Sequence, residues 1–201
     1  MCYMCVKSWF GKADNVSEFN LFINAIKSEL FYRAFPLIIE CFRKFGSYEI
    51  SPEAYTQLSD LMMIVLTESA LKYDVSTPST LMNMANTYFM KEHPEGKNRY
   101  LRAQLVDHSL FKKIQFWEAV LLNKIESSKE SLNRHEGRKS IATNVLTDGF
   151  MQRISGVFLS LALQMKRFGV QKKVSETLLS HYYREYDLPN DQFENIRKIL
   201  G

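Results

Sequence analysis

Apolar side chains in this chain recur at intervals of three and four residues, and that spacing constrains the fold more than any other feature. Tyr55, Leu58, Met62, Val65, Leu66 and Ser69 fall on one side of a helix, as do Val16, Phe19, Ile23, Ile26 and Leu30. No stretch alternates apolar and polar residues as a half-buried strand does, and no repeat of fixed period is present. Only 8 Gly and 5 Pro interrupt 201 residues, while 14 Phe and 10 Tyr supply a large core. A chain of this length buries about 70% of its unfolded surface, so it needs neither a disulfide nor a metal to fold. The expected fold is all-α, a single multi-helix array of about eight or nine helices.

The punctuation marks the helix ends. Asp14 and Ser17 are N-cap candidates for the first helix. Pro36 opens a short apolar helix through Leu37, Ile38, Cys41, Phe42 and Phe45, stopped at Gly46. Ser51-Pro52-Glu53 combines a capping hydroxyl, proline at the first helical position and an acid in the first turn, opening a helix to about Tyr73. Thr77-Pro78 repeats that start for Leu81, Met84, Ala85, Tyr88 and Phe89. His93-Pro94-Glu95-Gly96 breaks the pattern, and Arg99 to Asp107 is again helical. Ile114 to Ile125 is strongly apolar. Residues 126–139 are polar and contain Gly137, which predicts a mobile loop. Ser140 to Phe168 forms a long helix closed by Gly169, Val170 to Tyr186 another, and Phe193 to Leu200 a last one after Leu188-Pro189-Asn190. Residues 1–50 are expected to be an N-terminal helical extension or hairpin, and residues 51–201 the main, continuous domain.

Net charge is +4, unevenly spread. Residues 91–139 carry 11 basic and 7 acidic groups, but no block of five like charges occurs. That mixture belongs to a solvated helical surface rather than to a nucleic-acid binder. No run approaches the ~20 apolar residues of a membrane span. Three cysteines and no secretory signal point to a reducing, cytoplasmic compartment.

Reactive constellations are sparse. Cys2-Tyr3-Met4-Cys5 has ligand spacing, but a zinc site needs about four ligands, and Cys41, His93, His108, His135 and His181 form no second pair. Neither a metal nor a cofactor is expected. Palmitate on Cys2 or Cys5, without a polybasic neighbour, would anchor weakly. Asp107 points about 100° away from His108 on a helix and orients it poorly as a base, so His108 is expected to close its helix. The common nucleotide, dinucleotide, hydrolase and zinc-protease motifs are absent, and the expectation is a non-enzyme. Ala142, Gly149 and Gly156 sit seven apart, which predicts a close helix crossing or a groove for a partner helix.

The segment Lys112-Lys113-Ile114-Gln115-Phe116-Trp117 has two adjacent aromatics covering about 100° of a helix. Two readings follow: a wide buried face, or a docking surface with Phe116 and Trp117 as anchors and Lys112 and Lys113 as its rim. Tyr182 and Tyr183, with Tyr186, invite the same pair of readings. The candidate partner-binding residues are therefore Lys112, Lys113, Phe116, Trp117, Tyr182 and Tyr183.

Tyr100-Leu101, His108-Ser109-Leu110-Phe111 and Phe116-Trp117-Glu118-Ala119-Val120 together resemble the Y-L, H-x-L-W, F-W-E-x-x-L/F pattern of the set-binding-factor-type helical domain. That domain lies between the DENN and phosphatase-like modules of certain myotubularin-related pseudophosphatases. Similar regions occur in DENN/MADD-type Rab exchange factors and in a small neuronal cytoplasmic protein. The resemblance covers roughly residues 58–200, with Phe111 where tryptophan is common. It implies an all-helical, non-catalytic adaptor module in membrane trafficking or cytoskeletal signalling, here expected to stand alone. The expected partner is a protein, with a small GTPase, a motor or a coat component as candidates, reached through a helical groove in the cytoplasm near vesicles or cytoskeleton. A homodimer is compatible with exposed aromatics. Two alternatives remain: a regulator of a Rab-type GTPase, for which Arg99, Arg102 and Arg153 lack a distinguishing context, and a peripheral membrane-surface protein using residues 91–139, with weak or indirect contact.

Overall fold

The computed structural model describes residues 24–25, 28–45, 48–136 and 143–201. Among the described residues there are eight α-helices and one two-stranded sheet, so the fold is all-α. The chain divides into two compact units, Met1–Leu110 and Phe111–Gly201. Cys2, Cys5 and most of the first expected helix lie outside the described residues, as do Gly137 and Ala142.

In the first unit, α1 (Glu29–Phe45) runs straight through Pro36, where a new helix start was expected. Tyr32, Phe35 and Ile39 form one fully buried stripe across the proline. Burying that stripe outweighs the lost N–H and the ~3 kcal/mol that an interior proline costs. Helix α2 (Pro52–Leu71) begins as its sequence dictates: Ser51 accepts from the Ala54 N–H at 3.2 Å, with proline in the first turn. A backbone hydrogen bond and the Ser51 hydroxyl hold the Glu53 carboxyl below the usual range. Its expected inner side, from Tyr55 to Ser69, is buried.

Helix α3 (Ser76–Ala85) is capped differently from expectation. Thr77 and Pro78 lie inside its first turn, and Asp74 Oδ1 accepts from the Ser76 and Thr77 N–H groups at 2.9 and 3.4 Å. The helix also ends early. Tyr88 packs inward, and Phe89 opens strand β1 (Phe89–Glu92), antiparallel to β2 (Lys97–Tyr100), with Phe89 opposite Tyr100. Both strands are four residues long and half charged, too short for alternation to stand out against a helical period. The expected break at 93–96 is the hairpin loop, with Gly96 at φ +65. One turn of helix, α4 (Arg102–Leu105), replaces the longer helix expected over Arg99–Asp107. Residue 50, the expected domain boundary, falls inside this unit: Ile50 N donates to Phe89 O at 2.9 Å, and Phe89 N to Tyr48 O at 3.0 Å.

A 3₁₀ turn, Ser109–Lys112, leads into the second unit. Helix α5 (Ile114–Glu136) continues well past Ile125, so residues 126–136 are helix where a mobile loop was expected. Their Glu, Lys, Leu and Arg are good helix formers, and no glycine or proline intervenes. Helix α6 (Thr143–Arg167) packs against α5, against α7 (Lys172–Glu185) and against α8 (Asn190–Leu200). It ends in a Schellman motif, with Val170 N bonded to Met165 O, Gly169 N to Lys166 O, and Gly169 at φ +71. Gly149 and Gly156 mark no close crossing, because a Cβ at either would meet nothing within 4 Å. No helix of the described residues is long and apolar enough to cross a membrane.

Candidate functional site

Four of the six residues singled out from the sequence are buried. Trp117 is 0% and Phe116 5% exposed, which corrects the docking-surface reading for both. The Trp117 Nε1–H donates to Phe111 O at 2.9 Å, and Phe111 lies 4.5 Å from Phe168 between ring centroids. The wide aromatic face of α5 is therefore closed over by the end of α6. Tyr182 and Tyr183 are 9% and 2% exposed. The Tyr183 hydroxyl donates to Pro189 O at 3.0 Å. The ring of Tyr182 is covered, while its hydroxyl reaches the rim and donates to Glu118 Oε1 at 2.6 Å. That bond, then burial and the negative charge of Glu118, push the phenol up to about 12. Lys112 and Lys113 are exposed, but without Phe116 and Trp117 beside them they rim no aromatic surface.

His108 does not close a helix through its ring. Nδ1 accepts from the Leu110 N–H at 3.2 Å, which places the ring proton on Nε2, 3.2 Å from Thr67 Oγ1. Thr67 passes its own proton to Met63 O at 2.9 Å. Both ring nitrogens are thus committed to structure. Lys124 lies on the inner half of α5, and burial lowers its ammonium from the usual value. Among the described residues no group of three or more His, Cys, Asp or Glu could hold a metal ion.

A concave site opens instead between α7 and α8, a groove of about 340 Å³. Tyr183 and Phe193 contribute to its lining but are only 2% and 8% exposed, their ring centroids 5.0 Å apart, and Phe158 braces Tyr183 edge-on at 5.3 Å. One bank is a stripe of α7, Lys173, Thr177, Ser180 and Arg184, at the i, i+4, i+7, i+11 spacing of a single helical face. The other is Glu194 and Arg197 of α8. These two pair at 2.7 Å, and the Arg197 guanidinium lies 5.4 Å from the Phe193 ring centre, which fixes that bank. Of its lining residues, the sequence reading singled out Tyr183 alone. The polar stripe of α7 is what any solvated helix face presents.

No family model, curated protein or solved structure matches this chain.

Proposed function

We propose that this chain is a non-catalytic protein-interaction module, an adaptor that receives a partner's segment in the groove between α7 and α8. The carrying observation is the groove itself, a concavity with Lys173, Thr177, Ser180 and Arg184 on one bank and Glu194 and Arg197 on the other. Hydrogen-bonding and charged side chains around a concavity can receive the polar groups of a partner's segment. The setting in membrane trafficking rests on the sequence resemblance of Tyr100 to Val120 alone. The test is site-specific photocrosslinking in cytosol. A photoreactive residue at Thr177, in the groove, should capture a discrete protein that the same residue at Asn123, exposed on α5, does not. Identical products from the two positions would refute the groove as a docking site.

A further inference from the structure

We infer that the end of the second unit at which α5 and α7 begin is a contact face for an anionic lipid bilayer, independent of the groove. The face is assembled from three short stretches of chain. Lys112 and Lys113 precede α5, Lys166 and Arg167 close α6, and Lys172 and Lys173 open α7. The fold brings them together: the Phe111 ring stands 4.5 Å from that of Phe168, and Gly169 turns the chain from α6 into α7. The last turn of α8 joins them, with Lys166 Nζ donating to Ile199 O at 2.7 Å. All six cationic side chains are exposed, and residues 112–117 and 164–175 contain neither Asp nor Glu. The nearest acids on α5 and α7 lie a turn further in, where Glu118 accepts from Tyr182 and Glu176 is half-buried. Lys113, Arg167, Lys172 and Lys173 make no ion pair among the described residues. The helix dipoles oppose one another here, two N-termini against two C-termini, so the side-chain cations set the potential.

The make-up of this face selects a bilayer among polyanions. Five of the six cations are lysines, compact charges on flexible stems that follow mobile headgroups and lack the fork of an arginine phosphate site. Single-stranded nucleic acid needs exposed rings on which its bases stack, and Phe111, Phe116, Trp117 and Phe168 are all buried. A duplex groove admits a helix or a ribbon laid along it, whereas this face presents helix ends and a turn. Between and beside the cations, half-buried Val170 and exposed Val174 supply the apolar surface that suits the headgroup boundary.

The test is co-sedimentation of the full chain with vesicles of phosphatidylcholine, alone or with about 30% phosphatidylserine. The anionic vesicles are expected to bind at least about ten-fold more strongly, and salt should erode the difference. Lys113→Gln, Arg167→Gln and Lys172→Gln together should remove that advantage by about ten-fold or more while leaving the melting temperature unchanged. None of these three lines the groove, so Thr177 should still capture its protein in that variant. The control, Lys97→Gln with Arg153→Gln and Arg184→Gln, changes net charge equally and should keep the advantage. Equal sedimentation with both vesicles would overturn the inference, as would equal losses in the two variants. A short DNA duplex that displaces the chain from the vesicles, and whose binding needs the same three cations, would assign the face to nucleic acid and overturn the lipid class.

Discussion

Trp117 illustrates what a single residue's surroundings decide. Adjacent to Phe116, it was compatible with either a core or a docking surface, and no local signal separates the two. The difference is made by Phe168, some fifty residues away, whose ring stands 6.3 Å from that of Trp117. Trp117→Ala should therefore lower stability by about 3–5 kcal/mol, measured by urea unfolding; an unchanged midpoint would contradict its place in the core. Tyr182 gives a pH test. Its phenol titrates near 10 when unfolded and at about 12 when folded, so the fold favours the protonated form. That stabilisation is complete below about pH 10 and is lost as pH rises through about 12. Tyr182→Phe should cost about 1 kcal/mol at neutral pH, because the hydroxyl sits at a solvated rim. It should also flatten the alkaline limb of the stability profile, and an alkaline limb identical to that of the unaltered protein would count against the Glu118 bond.

At the scale of elements, the legible signals were those that act within one turn. Ser51-Pro52 marked the start of α2 because a side-chain acceptor and a proline need only the next three residues to work. Ser51→Ala should cost about 1 kcal/mol, read as a lower melting temperature. The signals that misled were equally local but were outvoted. Pro36 and the helical period through Phe89 both gave way to packing, the first to the Tyr32–Phe35–Ile39 stripe and the second to the β1–β2 pairing. The heptad glycines make a sharper case. Their spacing suggested a crossing helix, yet open space faces both. Gly149→Ala and Gly156→Ala should therefore each stabilise α6 by about 0.5–1 kcal/mol; a loss of stability in thermal melts would mean that something does occupy that face.

For the whole molecule, the division at Leu110 and Phe111 sets how perturbations combine. Ser51→Ala acts at the end of α2 in the first unit, and Gly156→Ala in the middle of α6 in the second. Their free-energy effects should add within about 0.5 kcal/mol in the double variant, and a larger coupling would show that the two units share their stability. By itself the sequence determined the helical class, the capped start of α2, the inner face of that helix, the stop at Gly169 and the break after Tyr186. These are legible because backbone hydrogen bonds within a helix reach four residues and caps reach three. Only the tertiary structure decided that Phe116, Trp117, Tyr182 and Tyr183 are covered, that Pro36 lies mid-helix, and that α7 and α8 enclose a groove. Burial and concavity depend on surfaces supplied by other elements, and neither periodicity nor local chemistry specifies which element will supply them.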